Sequence, residues 1–189
     1  MKVFIKLLLS FLPWILFYLL PLHTVAQLKV AITALLLLSI ITGYRDLKRG
    51  FILPWCTLLF FTFIFFGIVV FDLKILAVYM SILVNSVLAT LALGSLAVGK
   101  PFTLQYARLE VAKDKWQNPV FIFVNQVLTF VWGMSFLFNL ILNILRNVYP
   151  YPHSILATLS NASTLGAIFF TVWFPKWYQK RIQKKHQHQ

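Results

Sequence analysis

The sequence predicts an all-α fold, a polytopic transmembrane helical bundle of about six spans with its N and C termini in the cytoplasm. Three observations predict it. Hydrophobic residues make up 60% of the 189 residues and charged ones 11%, against roughly 45–50% and about 25% in soluble domains. Mean hydropathy is +0.83. The apolar residues are also gathered into runs long enough to cross a bilayer, and the basic residues fall between those runs in strict alternation.

The runs cover about 3–22, 28–42, 51–71, 75–98, 120–145 and 154–174. Together they form one transmembrane domain, 1–174, followed by a basic, polar cytoplasmic tail, 175–189, that is expected to fray. A helix needs about 20 residues to cross the hydrocarbon core, and roughly 17–25 is the usual range. The second run is short, so its edges are expected to reach into Thr24–Gln27 and Gly43–Tyr44. Barrel strands would alternate in polarity over about ten residues. These runs are continuously apolar for twice that, so helices are expected.

The cations give an independent test. Lys2 and Lys6, then Arg45, Lys48 and Arg49, then Lys100, Arg108, Lys113 and Lys115, then Lys176, Lys180, Arg181, Lys184 and Lys185 are fourteen that fall on one side. Lys29, Lys74 and Arg146 are the three on the other. This is the positive-inside pattern for six spans with both termini inside, and it places the basic face in the cytoplasm. The net charge of +13 therefore points to the lipid bilayer as a partner and not to nucleic acid. The opening residues also carry features of a secretory signal, with Thr24-Val25-Ala26 before Gln27 as the small-residue site. Its length, Pro13 and Pro21, and Trp14 and Tyr18 favour a retained span.

Chemistry-bearing residues are sparse. Asp46, Asp72, Glu110 and Asp114 all fall in connections, and no Asp, Glu, Lys or Arg lies near the middle of a span. That counts against an ion-coupled transporter. No nucleophile–base arrangement, metal-ligand spacing or phosphate-cradling loop is present, so no enzyme activity, cofactor or metal is expected. The lone Cys56 reads as a small buried hydrophobe.

What remains is packing chemistry. Ser86, Thr90 and Gly94 repeat every four residues in the fourth span, and Ala162–Gly166 and Ser163–Ala167 repeat the spacing in the sixth. Small residues so placed let helices approach closely. The fifth span sets Asn125, Trp132, Phe136, Asn139 and Asn143 along one helical face, while Asn85 and Asn161 add amides in the fourth and sixth. Two readings stand: the amides bond between neighbouring helices, or they line a polar groove between spans four, five and six. Outside the spans, 102–116 can form a basic amphipathic helix capped by Thr103. It would place Phe102, Tyr106 and Leu109 on one face, with Arg108, Lys113, Lys115 and Trp116 as membrane-surface contacts; an ordinary connector and a docking surface for a partner are the other readings.

The run Ser10-Phe11-Leu12-Pro13-Trp14-Ile15-Leu16-Phe17, then Gly99-Lys100-Pro101, then the ordered Trp116, Asn125, Trp132, Phe136 and Asn139 resemble the intracellular septation protein A family of bacterial inner-membrane proteins. The resemblance covers about 10–143. It implies a non-enzymatic role in septation or cell-envelope maintenance, with other envelope or division membrane proteins as partners and a homo-oligomer left open. The stretch 102–107 departs from the family pattern, Asn118-Pro119 falls inside its Trp-to-Asn interval, and the sixth span exceeds the family's usual five. The alternative is a small membrane transporter or channel that uses the amide-bearing face of spans four to six.

Overall fold

A computed structural model describes residues 2–20, 24–149 and 153–187. Helix accounts for 87% of it, and the described residues contain no strand. The helices are α1 (Lys2–Leu19), α2 (Val25–Lys48), α3 (Ile52–Ile64), α4 (Lys74–Val78), α5 (Met80–Ala97), α6 (Phe102–Ala107), α7 (Pro119–Val148) and α8 (His153–Gln187). Among the described residues five stretches are long and apolar enough to cross a membrane: Val25–Lys48, Ile52–Val70, Met80–Ala97, Pro119–Val148 and Ser154–Gln183. The apolar part of α1, Lys6–Leu19, is shorter. The chain divides into two compact units, 1–87 and 88–189.

In the first unit α1, α2 and α3 pack together. The second span is longer than its apolar run because polar residues close its start. Thr24 Oγ1 accepts from the Gln27 N–H (3.2 Å), and Gln27 Oε1 accepts from the Thr24 N–H (3.1 Å), a reciprocal capping box. The small-residue site suggested by Thr24-Val25-Ala26 is thus the first turn of α2. Its far end stops at Gly50 (φ +72°), where the Gly50 and Phe51 N–H groups return to Leu47 and Asp46 carbonyls. That pattern needs a left-handed residue, which glycine supplies without steric cost. Beyond α3 the helix widens to a π-type stretch, Phe65–Val70, and the chain turns at Asp72 (φ 52°). The expected run 75–98 is divided at Tyr79 between α4 and α5. Helical bonding continues across it, from Tyr79 N–H to Ile75 O (3.2 Å) and from Leu83 N–H to Tyr79 O (2.9 Å).

The core of this unit is aromatic. Trp14 is 2% exposed and packs on Phe60 (centroids 4.9 Å) and Phe61 (5.3 Å). Its indole N–H donates to Thr57 Oγ1 at 2.8 Å, and the Thr57 hydroxyl donates to Leu53 O. An indole buried in this way gains both its large apolar area and a satisfied donor.

In the second unit α7 packs against both α6 and α8. Asn118 caps α7 by accepting from the Val120 (2.8 Å) and Phe121 (3.4 Å) N–H groups, with Pro119 in the first turn. The 35-residue α8 runs through Pro175 to Gln187, about 52 Å at 1.5 Å per residue. The segment 175–187, expected to fray, therefore continues the helix.

One expected element is corrected. No amphipathic helix spans 102–116: α6 ends at Ala107 and only Lys113–Lys115 resumes a short 3₁₀ turn. Phe102, Thr103, Leu104, Tyr106 and Ala107 are all buried, so α6 does not lie on a surface with one wet face. Thr103 shows the reason. Its hydroxyl caps nothing; it donates to Asn125 O (2.9 Å) and meets Thr129 Oγ1 (2.8 Å), while Ser95 Oγ accepts from the Phe102 N–H (3.2 Å). These bonds hold the segment within the unit and give its backbone ends polar partners.

Candidate functional site

The richest concentration of polar side chains lies along α7. Asn125, Trp132, Phe136 and Asn139, expected on one face, are buried together with Thr129 and Ser135, and Asn143 is half-buried. Trp132 Nε1 donates to Thr171 Oγ1 (3.0 Å), Ser135 Oγ meets Ser163 Oγ (2.9 Å), and Asn139 Nδ2 donates to Thr164 Oγ1 (3.1 Å). Thr171 and Thr164 hydroxyls donate in turn to Ala167 and Ser160 carbonyls of their own helix. The result is a ladder of neutral hydrogen bonds joining two antiparallel helices.

Not every sequence-predicted amide joins it. Asn125 Nδ2 bonds Phe121 O of its own helix (2.8 Å) and Asn143 Nδ2 bonds Asn139 O (2.7 Å). Asn161 is exposed and belongs to none of the α7–α8 bonds. Asn85, 1% exposed, donates to Tyr18 Oη of α1 and to Ser81 O, each at 2.8 Å. Asn139 Oδ1 is buried without a hydrogen-bond partner.

The small-residue stripes divide in the same way. Ser86 is half-buried, Thr90 and Gly94 are exposed, and a methyl group placed on Gly94 or Gly166 would meet nothing within 4 Å. Ser163 and Ala167 face α7, whereas Ala162 and Gly166 do not. The close approach is instead at Gly133 of α7, where a methyl group would sit 2.5 Å from Leu93 Cδ2 and 3.4 Å from Ala92 Cβ of α5. Gly133 carried a usable signal, as the single glycine of its span adjoining Trp132 on the polar face. Ser135, Thr129 and Thr103 carried none, because isolated hydroxyls are common in such spans.

The charged groups lie elsewhere. Lys29 Nζ meets Asp72 Oδ1 at 2.6 Å, and Arg49 meets Asp46 at 3.1 Å. The hydrogen bond from Lys29, then its charge, holds the exposed Asp72 carboxyl below its ordinary pKa, and Lys74 adds to this. Arg108 lies over the Trp116 ring (5.3 Å), whose Nε1–H donates to Val111 O (2.9 Å), while Lys113 and Lys115 are exposed beside them. The described residues contain no group of three His, Cys, Asp or Glu side chains. Half-buried Cys56 lines an open apolar groove of about 580 Å³ with Trp55, Leu59 and Phe63.

These features define a membrane-protein class: the described residues are helical without strands, and five of their helices are long and apolar enough to cross a membrane. Comparison with protein-family models, with curated proteins and with solved structures gives no match.

Proposed function

We propose that this chain is a non-enzymatic, multi-pass structural or interaction protein of the bacterial inner membrane, serving septation or cell-envelope maintenance. In this reading α1 is a sixth crossing and both termini are cytoplasmic. The observation that carries it is the use made of the polar groups within the spans. Trp132, Ser135 and Asn139 bond to α8, and Asn85 bonds to Tyr18 of α1, so these groups hold helices together. Partners are then met through exposed helix faces and the basic side.

Two further observations support the orientation. The ion pair Lys29–Asp72 joins residues of two connections that the charge alternation assigns to the outer side. In the second unit Trp173, Trp177 and Tyr178 form an aromatic belt on α8, and Arg181 lies over Trp177 as the basic end begins. Tryptophan and tyrosine gather at the bilayer interface, and lysine and arginine on the cytoplasmic side of it.

The second reading, a small transporter or channel, draws on the partnerless Asn139 Oδ1 and half-buried Asn143. Leucine at Asn125, Asn139 and Asn161 separates the two. Our reading expects altered stability or association with no solute flux to lose in proteoliposomes; lost flux in a folded variant defeats it. Reporter fusions at Lys48, Lys113 and Lys185 should all read cytoplasmic, and crosslinking from the 99–119 connection in cells should capture envelope or division membrane proteins or a second copy.

A further inference from the structure

The connection between α5 and α7 contains an arginine with an unspent set of donors. Arg108 follows α6, its backbone N–H bonded to Leu104 O (3.0 Å). Its side chain is half-buried, and Nε is buried without a hydrogen-bond partner. No carboxylate offsets it: the ion pairs of the described residues are Lys29–Asp72 and Arg49–Asp46, and nearby Glu110 and Asp114 are exposed. A guanidinium partly withdrawn from water without an anion is costly unless something else meets its donors.

The side chain is nonetheless held. Its Cζ lies 5.3 Å from the Trp116 ring centroid, and the ring is pinned by its Nε1–H bond to Val111 O and by the Trp116 N–H bond to Lys113 O (3.2 Å). The ring takes the guanidinium by a cation–π contact, and with Nε buried the two terminal Nη groups remain as the pair that can donate to two phosphate oxygens at once. Lys113 and Lys115 are exposed close by in sequence, adding positive field without occupying the fork. We infer that Arg108, floored by Trp116, is a binding site for the phosphate of an anionic lipid headgroup. This rests on the reading of the chain as a membrane protein with 99–118 at the bilayer surface, where such phosphates stand at headgroup depth.

The test uses the full chain in phosphatidylcholine nanodiscs titrated with phosphatidylglycerol, with bound lipid counted by native mass spectrometry. Arg108→Gln should weaken phosphatidylglycerol retention by about tenfold or more, as expected for losing a charge-assisted, two-pronged contact. Arg108→Lys should fall between, keeping charge but not the fork. The pair Lys113→Gln and Lys115→Gln should cost less than Arg108→Gln, and inorganic phosphate should not displace the lipid. Unchanged retention in Arg108→Gln overturns the site. So does an equal loss in the lysine pair, which would mean a diffuse field. Displacement by inorganic phosphate overturns the lipid as its source. If Arg108→Gln loses helical content, Arg108→Lys and Trp116→Phe decide: retention equal to wild type in both defeats the proposal. Both leaflets of the disc are alike, so the result does not depend on which side the loop faces, and failed topology fusions would leave it standing.

Discussion

The two units hold their helices by different means. In the first, the centre is a tight group of rings around Trp14, Phe60 and Phe61. In the second, α8 is largely exposed, and where it meets α7 hydrogen bonds at Trp132, Ser135 and Asn139 stand beside the packing of Phe174 with Val124 and Leu128. Helices in lipid gain no hydrophobic drive from touching one another, so association rests on van der Waals fit and on polar bonds. The first unit relies chiefly on fit. The α7–α8 pair joins apolar packing, with Phe174 of α8 in one cluster with Val124 and Leu128 of α7, to a row of polar bonds.

This difference can be broken or sharpened by substitution. The largest effect is expected at Trp14→Ala, which removes a fully packed ring and its hydrogen bond to Thr57; it should destabilise by about 3–5 kcal/mol, read by reversible unfolding in mixed detergent. Next, Gly133→Val should cost about 1–3 kcal/mol by forcing Leu93 away, and Leu93→Ala in the same chain should restore part of the loss. Smaller again, a double-mutant cycle of Asn139→Leu with Thr164→Val should return a coupling of about 0.6–2 kcal/mol. A coupling of zero would remove the bonded ladder as the basis of α8 attachment, and a cost above that of Trp14→Ala would invert the comparison. The smallest effect belongs to Asp72. Its carboxyl pKa is lowered in the fold, so its contribution is present above the ordinary carboxylate value and is lost as pH falls through the lower, folded value. Asp72→Asn should flatten that acid-side dependence, and added salt should do the same because the pair is exposed.

Much of the architecture was legible in the sequence, for a physical reason. A run of twenty apolar residues is helical wherever water is scarce, since nothing else pairs its backbone. The ends were less legible, because they depend on single polar residues. Thr24 with Gln27 and Gly50 with its returning N–H groups set the limits of α2, and neither adds to an apolar run. Periodicity misled at 102–116: Phe102 and Tyr106 recur as they would on a helix lying at a surface, but the same spacing serves a short buried turn. The amide face of α7 was readable because α-helical spacing gathers Asn125, Trp132, Phe136 and Asn139. Which small residue is packed was less so: four-residue spacing points to Gly94, Gly133 shows only by its place beside Trp132, and tertiary contact decides between them.

Pro175 inside α8 has a mechanical consequence. Proline has no N–H to offer the carbonyl four residues back, which is that of Thr171, and helices bend most readily where such a bond is missing. Thr171 is also the last rung before that point, its hydroxyl receiving the Trp132 indole. α8 is nonetheless held to α7 on both sides of Pro175, by Thr171 before it and beyond it by Tyr178, whose ring lies 5.4 Å from that of Phe123. Side-chain contacts thus bracket the one turn of α8 that lacks its backbone bond.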